Sequence, residues 1–328
     1  MEPVVVIGSN SFSGAHFCAH AMRQGARVVG ISRSDPPPDA FLPYREVGTG
    51  SFTFHRLDLN HDLEAIMRVI DEARPARVVN FAAQSMVGES WQHPEHWYQT
   101  NVVSTIRLHD RLRTRPFLQT YLHVSTPEVY GSCSGLVAEH TVYHPSTPYA
   151  ISRAAADLSL MAFFQTYRFP VVFTRAANVF GPGQQLYRVI PRAILSILLG
   201  KRLPLHGGGH STRSFIHIGD VVRGTWEAAT RGRPGEIYHL STPRHVTIRE
   251  LVGLIADRLQ VRFEDVVEIV GDRPGKDAAY LLDSAKARRE LDWEPKITLE
   301  EGLDETIAWV RRHFDVLKAM PLDYQHKP

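Results

Sequence analysis

The sequence has few cysteines, no long apolar run and little net charge, and each shortage excludes a class of protein. Two cysteines, Cys18 and Cys133, make no disulfide framework, so a reducing, cytoplasmic compartment is expected. The longest apolar run, Ile194–Leu199, is far below the ~18 residues of a membrane span, and no basic leader precedes Val4. A net charge of +2 with both signs interspersed predicts neither a nucleic-acid nor a membrane partner.

Histidine is plentiful, with 17 residues, yet the sequence predicts no metal site. His93 and His96, like His206, His210 and His217, lie in segments broken by proline or glycine. They show none of the helix-spaced ligand sets that bind transition metals.

Short β-branched runs alternate with amphipathic stretches of helix length through the first half of the chain. The predicted strands are Val4–Ile7, Arg27–Ile31, Phe52–Leu57, Arg77–Phe81, Tyr121–Val124 and Val171–Thr174. The predicted helices are Ala15–Gln24, Leu63–Ala73, Trp97–Arg113 and Tyr149–Tyr167. This alternation predicts an α/β fold of Rossmann type, a doubly wound parallel sheet with helices on both faces.

The second half of the chain has shorter elements separated by glycine- and proline-rich breaks, which is typical of a smaller α/β lobe. We predict a dinucleotide-binding domain over residues 1–180 and a substrate-binding lobe mainly over 181–328. Phe215–Ile218 and Ile237–Leu240 are strand-like, so segments near 215–242 could return to the main sheet.

The segment Gly8-Ser-Asn-Ser-Phe-Ser-Gly14 follows the first predicted strand and opens the first helix. In that context backbone amides and the helix N-terminus face a pyrophosphate, as a dinucleotide turn requires. Ser11 stands where a middle glycine is common, and its small side chain still permits a close approach. Gly8, Asn10, Ser11, Phe12 and Gly14 are therefore predicted to bind the cofactor.

The end of the second predicted strand carries the signal for the type of dinucleotide. Ser32 and Arg33 stand where a carboxylate would bind an unphosphorylated ribose. Arginine accommodates a 2′-phosphate, so NADP is predicted over NAD, unless Arg33 is an ordinary solvated loop residue. Asp58 and Leu59 follow the third strand, where the carboxylate could accept a hydrogen bond from the adenine amine.

Three further segments follow the fourth and fifth strands. Ala82 and Ala83 are small where the backbone would pass close to a cofactor. Ser125-Thr-Pro-Glu-Val-Tyr-Gly131 and Tyr149-Ala-Ile-Ser-Arg153 bring a hydroxyl, a carboxylate and a phenol towards one pocket, which indicates proton and hydride chemistry on a sugar. Taken singly, Glu128 could cap a helix, and Tyr149 with Arg153 could be a surface pair.

Together these motifs resemble the extended short-chain dehydrogenase/reductases that act on nucleotide sugars. The resemblance covers nearly the whole chain and rests on the Gly turn, Asn80–Ser85, Asn101, Ser125–Gly131, Tyr149, Arg175–Pro182 and Arg213–Asp220. Ser125–Gly131 and Asp272–Asp277 resemble the dTDP-glucose 4,6-dehydratase branch. Asn80–Val87 and Gly30–Arg33 look more like the NADP-dependent GDP-mannose branch.

The resemblance implies a lyase that dehydrates a nucleotide-diphosphate hexose to a 4-keto-6-deoxy sugar, with an internally recycled nicotinamide cofactor. Tyr149, deprotonated, would take the C4 hydroxyl proton, with Thr126 or Ser125 hydrogen bonded to the same oxygen. Glu128 would remove the C5 proton before the C6 hydroxyl leaves as water. Arg153 would act beside the phenol and the cofactor. The further implied substrate contacts are Ser85, Asn178, Arg213 and Arg273.

Two residues depart from the family pattern. Pro127 occupies the position of an acidic residue in the dTDP-glucose branch, and proline has no proton to donate. Arg153 replaces a lysine that favours the tyrosine phenolate; it keeps the charge but has a larger, planar head.

These departures leave alternatives open: a 4-epimerase, a decarboxylase or a related eliminating enzyme, or a non-catalytic protein that binds NADP or nucleotide sugar. By resemblance only, Trp97–Arg113 and Ala150–Tyr167 would form the interface of a homodimer.

Overall fold

The computed structural model describes residues 2–47, 51–133, 135–271 and 281–328. Its strands are β1 Pro3–Ile7, β2 Arg27–Ser32, β3 Phe52–Arg56, β4 Arg77–Asn80, β5 Thr120–Val124, β6 Leu136–Val137, β7 Val171–Ala176, β8 Asn178–Phe180, β9 Leu203–His206, β10 Thr212–His217, β11 Ile237–Leu240, β12 His245–Thr247, β13 Val267–Val270 and β14 Leu281–Leu282. Its helices are α1 Phe12–Arg23, α2 Leu63–Ala73, α3 Pro94–Tyr98, α4 Thr105–Leu112, α5 Pro148–Tyr167, α6 Val189–Leu198, α7 Ile218–Arg231, α8 Ile248–Arg258, α9 Phe263–Val266, α10 Ala285–Leu291, α11 Leu299–Arg312 and α12 Phe314–Leu317.

Seven parallel strands form the main sheet, in the order β3-β2-β1-β4-β5-β7-β11. Strand β1, inside the sheet, is fully apolar because both its faces are covered: Val5 pairs with Val29 of β2 and Val78 of β4, and all three are buried. The strand order reverses between β1 and β4, the place where open α/β sheets bind ligands. The predicted doubly wound Rossmann-type sheet is confirmed.

Successive residues of β1 point into two different cores. Val4 and Val6 pack in the core formed with α1 and α7. Val5 and Ile7 pack on the opposite face with the apolar sides of α2, α4 and α5. This alternation fixes the strand's register, since a shift of one residue would exchange the two faces. The carboxyl end of β1, where the β1–α1 turn begins, is thereby fixed between the two cores.

The second half of the chain adds a lobe with its own core, built from α6, α8 and α11 with β9, β10 and β13. β11 returns to the main sheet beside β7, as its sequence suggested. β10 does not: it pairs with β8 and β12 in a separate three-stranded sheet. The division near residue 180 stays a prediction.

The predicted helix Trp97–Arg113 is two α-helices joined by a π-helical segment, Gln99–Ser104. The buried Asn101 side chain accepts from the Gln84 amide at 2.8 Å and donates to the Gln84 carbonyl at 2.9 Å. It also donates to Ser152 on α5. These bonds pull Asn101 towards the end of β4, which widens the helix at this position and ties α3, α5 and the strand end together.

Candidate active site

The turn between β1 and α1 leaves no room for larger residues. Gly8 has φ of +86°, and a Cβ there would lie 2.7 Å from the Ala82 amide nitrogen. A Cβ at Gly14 would lie 2.1 Å from the Gly8 carbonyl oxygen. Ser11 caps α1: its hydroxyl donates to the Gly8 carbonyl at 2.7 Å and accepts from the Gly14 amide at 3.1 Å. The two glycines therefore let the turn pack closely against the segment after β4 and against its own backbone.

A cavity of about 210 Å³ opens at this turn, between the ends of β1, β2, β3 and β4. Of the residues predicted to bind the cofactor, it is lined by Gly8, Asn10, Ser11, Ser32, Arg33, Asp58, Leu59, Ala82 and Ala83. Phe12 and Gly14 are buried in the adjoining turn and helix. Tyr44 orders the wall by donating to Asn10 Oδ1 at 2.9 Å, and the Ser32 hydroxyl accepts from the Asn10 amide. The cavity suits an elongated dinucleotide that lies across the sheet edge.

Arg33 makes a contact that the sequence did not indicate. Its guanidinium donates to the carbonyl oxygen of Lys327 at 3.1 Å and to that of Pro328. The Gln84 side chain, also in the cavity wall, donates to the same Lys327 carbonyl at 2.6 Å. The C-terminal segment, residues 324–328, thus lies at the rim of the cavity.

The candidate catalytic turn starts where β5 ends. Pro127 is the first residue of a 3-10 turn, Pro127–Tyr130, where no backbone N–H is required and its fixed φ suits the geometry. Thr126 caps the turn by accepting from the Glu128 amide at 3.3 Å. The proline that cannot act as an acid therefore shapes the turn that carries Glu128.

Tyr149 lies in the first turn of α5, which starts at Pro148 and is capped by Thr147. Burial raises the pKa of the phenol, and the negative charge of Glu128 raises it further. The positive charge of Arg153 and a hydrogen bond with Thr126 lower that pKa. Thr126, Glu128, Tyr149 and Arg153 are thus brought together as predicted, in one electrostatically coupled group.

Arg153 is buried and points back towards β5. Its guanidinium donates to the Val124 carbonyl and lies 3.1 Å from His123 Nε2. Its Nε is buried without a hydrogen-bond partner among the described residues. The residue supplies positive charge beside Tyr149 from a position anchored in the sheet.

Ser125 is turned away from the phenol. Its hydroxyl donates to Asp157 Oδ2 at 2.6 Å, and the same oxygen accepts from Arg175 Nη2 at 2.8 Å. Of the two hydroxyls that the resemblance offered, Thr126 therefore faces Tyr149. Asp157 was not singled out from the sequence, although it lies one helical turn beyond Arg153 on α5.

The predicted substrate contacts spread along the second lobe and the strand ends. Ser85 is exposed after β4, Asn178 begins β8 and Arg213 lies on β10. Arg273 lies outside the described residues. Sequence reasoning missed Arg188, which precedes α6 and whose charge lowers the pKa of Tyr149. Only the tertiary structure shows this proximity, because no motif marks the residue.

Within the described part of the chain, no helix is both long and apolar enough to cross a lipid bilayer.

The chain matches the family model described as GDP-mannose 4,6 dehydratase over residues 5–306. It is 39% identical to a dTDP-glucose 4,6-dehydratase of Streptomyces antibioticus over 315 residues, which cover 94% of this chain and 92% of that protein. A dTDP-glucose 4,6-dehydratase from Streptomyces venezuelae, solved with NAD bound, has a TM-score of 0.89, 32% identity and coverage of 98% and 100%. A UDP-glucose 4-epimerase from Thermotoga maritima has a TM-score of 0.86 and 26% identity, with coverage of 95% and 99%.

Proposed function

This chain belongs to the GDP-mannose 4,6-dehydratase family of extended short-chain dehydrogenase/reductases, and from that premise we propose that it is a nucleotide-sugar 4,6-dehydratase. The observation that carries the proposal is the placement of three side chains at one site. Thr126 and Glu128 share the capped turn after β5, and Tyr149, in the first turn of α5, is hydrogen bonded to Thr126. A phenol and a carboxylate so close together can act on adjacent carbons of one sugar ring. An epimerase needs the phenol alone, so Glu128 favours dehydration.

The cavity at the β1–α1 turn would hold a nicotinamide dinucleotide, because it opens at the start of α1, where backbone amides can face a pyrophosphate. Asp58 in its wall could accept a hydrogen bond from the adenine amine. When bound, the nicotinamide accepts a hydride from C4 of the sugar and returns it to C6. We propose NAD as the dinucleotide. The preference for NADP predicted from Arg33 has no support in the relatives, whose structures carry NAD, and the Arg33 guanidinium is hydrogen bonded to the C-terminal segment.

Tyr149 removes the proton from the C4 hydroxyl as that carbon is oxidised. The phenolate is the basic form, and Arg153 and the Thr126 hydrogen bond favour it against burial. Thr126 also has a hydroxyl that can orient the C4 oxygen. Once C4 is a ketone, the proton on C5 becomes acidic enough for a carboxylate to remove.

Glu128 then takes the C5 proton, and the C6 hydroxyl leaves. Pro127 cannot supply the proton that turns this hydroxyl into water. We propose that Glu128, protonated by the preceding step, delivers it. One carboxylate thus moves a single proton from C5 to the departing oxygen. As the hydride returns to C6, Glu128 takes up a solvent proton and adds it to C5, and Tyr149 releases the C4 hydroxyl proton to solvent. The products are the 4-keto-6-deoxy sugar and water, with no net redox change.

A panel of dTDP-, UDP-, GDP- and CDP-hexoses, together with UDP-glucuronic acid as the carboxylated sugar that a decarboxylase needs, tests the function. Mass spectrometry of the products after incubation with the protein and NAD is expected to show the loss of about 18 Da, the mass of water, from at least one sugar nucleotide. A product of unchanged mass with inverted C4 would identify an epimerase, loss of carbon dioxide a decarboxylase, and no turnover of any substrate a binding protein.

We also propose that the protein acts as a homodimer in the cytoplasm. Tyr98 and Val103, along the α3–α4 segment, and Ile151 and Leu158 on α5 are large apolar side chains left 37–51% exposed. Ile151 and Leu158 are two turns apart on one face of α5, a spacing suited to packing against a second copy. Sedimentation velocity at micromolar concentration tests the dimer, with Leu158→Glu expected to shift it to monomer.

A further inference from the structure

Three potential metal-ligand atoms converge at the start of α3, at a place where the sequence predicted no metal site. His93 Nδ1, a carboxylate oxygen of Glu95 and a ring nitrogen of His96 lie within 4.8 Å of one another. Glu95 Oε1 is 3.9 Å from His93 Nδ1 and 3.7 Å from His96 Nε2. Pro94 starts α3 and thereby fixes the turn that brings these side chains to one side.

A third histidine joins this cluster from the far end of the chain. His326 Nε2 lies 2.8 Å from His96 Nδ1, a hydrogen bond between two rings. The three imidazole rings are almost parallel, and their centroids are 5.1–5.4 Å apart in every pair. His326 also stacks on the buried Trp97 ring at 5.1 Å. The aromatic contact holds His326 in place to meet His96.

We propose that His93, Glu95 and His96 bind a divalent transition-metal ion of the zinc class, with His326 as a positioning residue. Two imidazole nitrogens and one carboxylate oxygen are the donor types that such ions prefer, and water would complete a tetrahedral set. Mg²⁺ and Ca²⁺ require oxygen ligands and are poorly served by two imidazoles.

His326 contributes by fixing the tautomer of His96. A metal-bound His96 Nε2 needs the ring proton on Nδ1, and that proton needs an acceptor. His326 Nε2, at 2.8 Å, is that acceptor. Ligand histidines commonly use their second nitrogen in this way, and loss of the partner weakens metal binding.

The site couples the metal to the C-terminal segment. The residue after His326, Lys327, accepts hydrogen bonds through its carbonyl from Gln84 and Arg33, both in the cavity wall. An ion bound by His93, Glu95 and His96 would therefore strengthen a chain of contacts that holds this segment at the cavity rim. Metal binding should make the segment less mobile.

The test is a titration of the full chain, freed of metal by a chelator, with ZnCl₂ in competition with a chromophoric chelator. We expect one equivalent bound per chain, lost in His93→Ala and in Glu95→Gln, and no comparable binding of MgCl₂. His326→Ala should weaken zinc binding by about 10–100-fold. His326→Gln, whose amide oxygen can still accept from His96, should recover most of it. The exposed His61→Ala is the matched control and should bind zinc normally.

Hydrogen exchange of residues 318–328 supplies the second measurement. Zinc should slow exchange there in the unsubstituted protein and in His61→Ala, but not in His93→Ala. Absence of zinc binding, or full binding by His93→Ala and Glu95→Gln, would overturn the site. Equal zinc affinity in His326→Ala and the unsubstituted protein would overturn the positioning role. No substrate enters these measurements, so their outcome is separate from that of the proposed dehydratase activity.

Discussion

Two polar regions meet at the carboxyl edge of the main sheet, and they are built differently. The inner region, formed by Ser125, His123, Arg153, Asp157 and Arg175, joins side chains 18–32 positions apart within two strands and one helix. The outer region joins residues 243–295 positions apart, from the cavity wall to the C-terminal segment. Of the inner side chains, His123, Arg153, Asp157 and Arg175 have almost no access to water, whereas most of the outer contacts are exposed.

The difference in burial predicts that the two regions respond differently to substitution. Charges in the inner region are desolvated, so each depends on its partner and a lost partner leaves a large energetic penalty. Contacts of the outer region compete with water, so each contributes little and can be exchanged. Substitutions should therefore have large effects near Tyr149 and small ones at the cavity rim.

Glu128→Gln should have the largest effect on activity. The amide keeps the shape but cannot take the C5 proton, so dehydration should fall by about 10²–10⁴-fold. Oxidation at C4 needs only the phenol and should persist, visible as reduced nicotinamide at 340 nm. Solvent deuterium should no longer enter C5. Glu139→Gln, outside the group around Tyr149, is the control and should dehydrate the substrate normally. Undiminished turnover by Glu128→Gln would show that Glu128 does not remove the C5 proton.

Asp157→Asn should have the largest effect on stability. Arg175 would keep a buried guanidinium whose ion pair at 2.8 Å has been removed, at a cost of about 3–5 kcal/mol in the free energy of unfolding. Asp71→Asn is the matched control, because it breaks the exposed pair with Arg115, also at 2.8 Å, and should cost at most about 1 kcal/mol. Urea denaturation measures both. Equal losses in the free energy of unfolding would show that burial does not make an ion pair harder to break.

The pH dependence tests the coupling between Arg153 and Tyr149. Because the phenolate is the active form, kcat/KM should fall as the pH drops below the pKa of Tyr149, which burial and Glu128 raise. Removing the positive charge in Arg153→Met should raise that pKa and move the falling limb to higher pH. Activity at neutral pH then drops about tenfold for each pH unit of the shift. Arg153→Lys, which keeps the positive charge, should restore most of the activity at neutral pH. The same pH profile in Arg153→Met and the unsubstituted protein would contradict an influence of Arg153 on the pKa of Tyr149.

The sequence predicts the motif residues beside the inner region, although not their buried neighbours His123 and Asp157, and the reason is physical. A strand buried on both faces, such as β1, must be apolar. The apolar stripe of α2 is so clear that its predicted and observed bounds agree. The motif residues Thr126, Glu128 and Tyr149 follow those elements directly, so locating the elements locates the residues.

The outer region could not be predicted in the same way. The C-terminal segment is polar and aperiodic, so nothing in residues 323–328 indicates what it touches. The π-helical segment depends on Asn101 reaching the backbone of Gln84, a contact set by packing. Likewise, β10 is strand-like in sequence, but the sequence does not show which strands it pairs with. Its pairing with β8 and β12, and not with the main sheet, depends on the packing of the whole lobe.

Arg33→Ala should have the smallest effect of these substitutions, because Arg33 belongs to the exposed outer region. The guanidinium makes exposed hydrogen bonds to Lys327 and Pro328, and such bonds contribute about 0.5–1.5 kcal/mol each. If they are its main role, the variant should bind NAD as before and lose less than about tenfold in affinity for NADP, measured by fluorescence titration. A far larger loss confined to NADP would mean that Arg33 leaves the C-terminal segment to hold a 2′-phosphate, which would restore the preference first expected from the sequence. Arg56→Ala, which removes another exposed arginine near the same strand end, controls for the general loss of positive charge. Arg33→Ala thus distinguishes a role in binding the 2′-phosphate of NADP from a role in holding the C-terminal segment at the cavity rim.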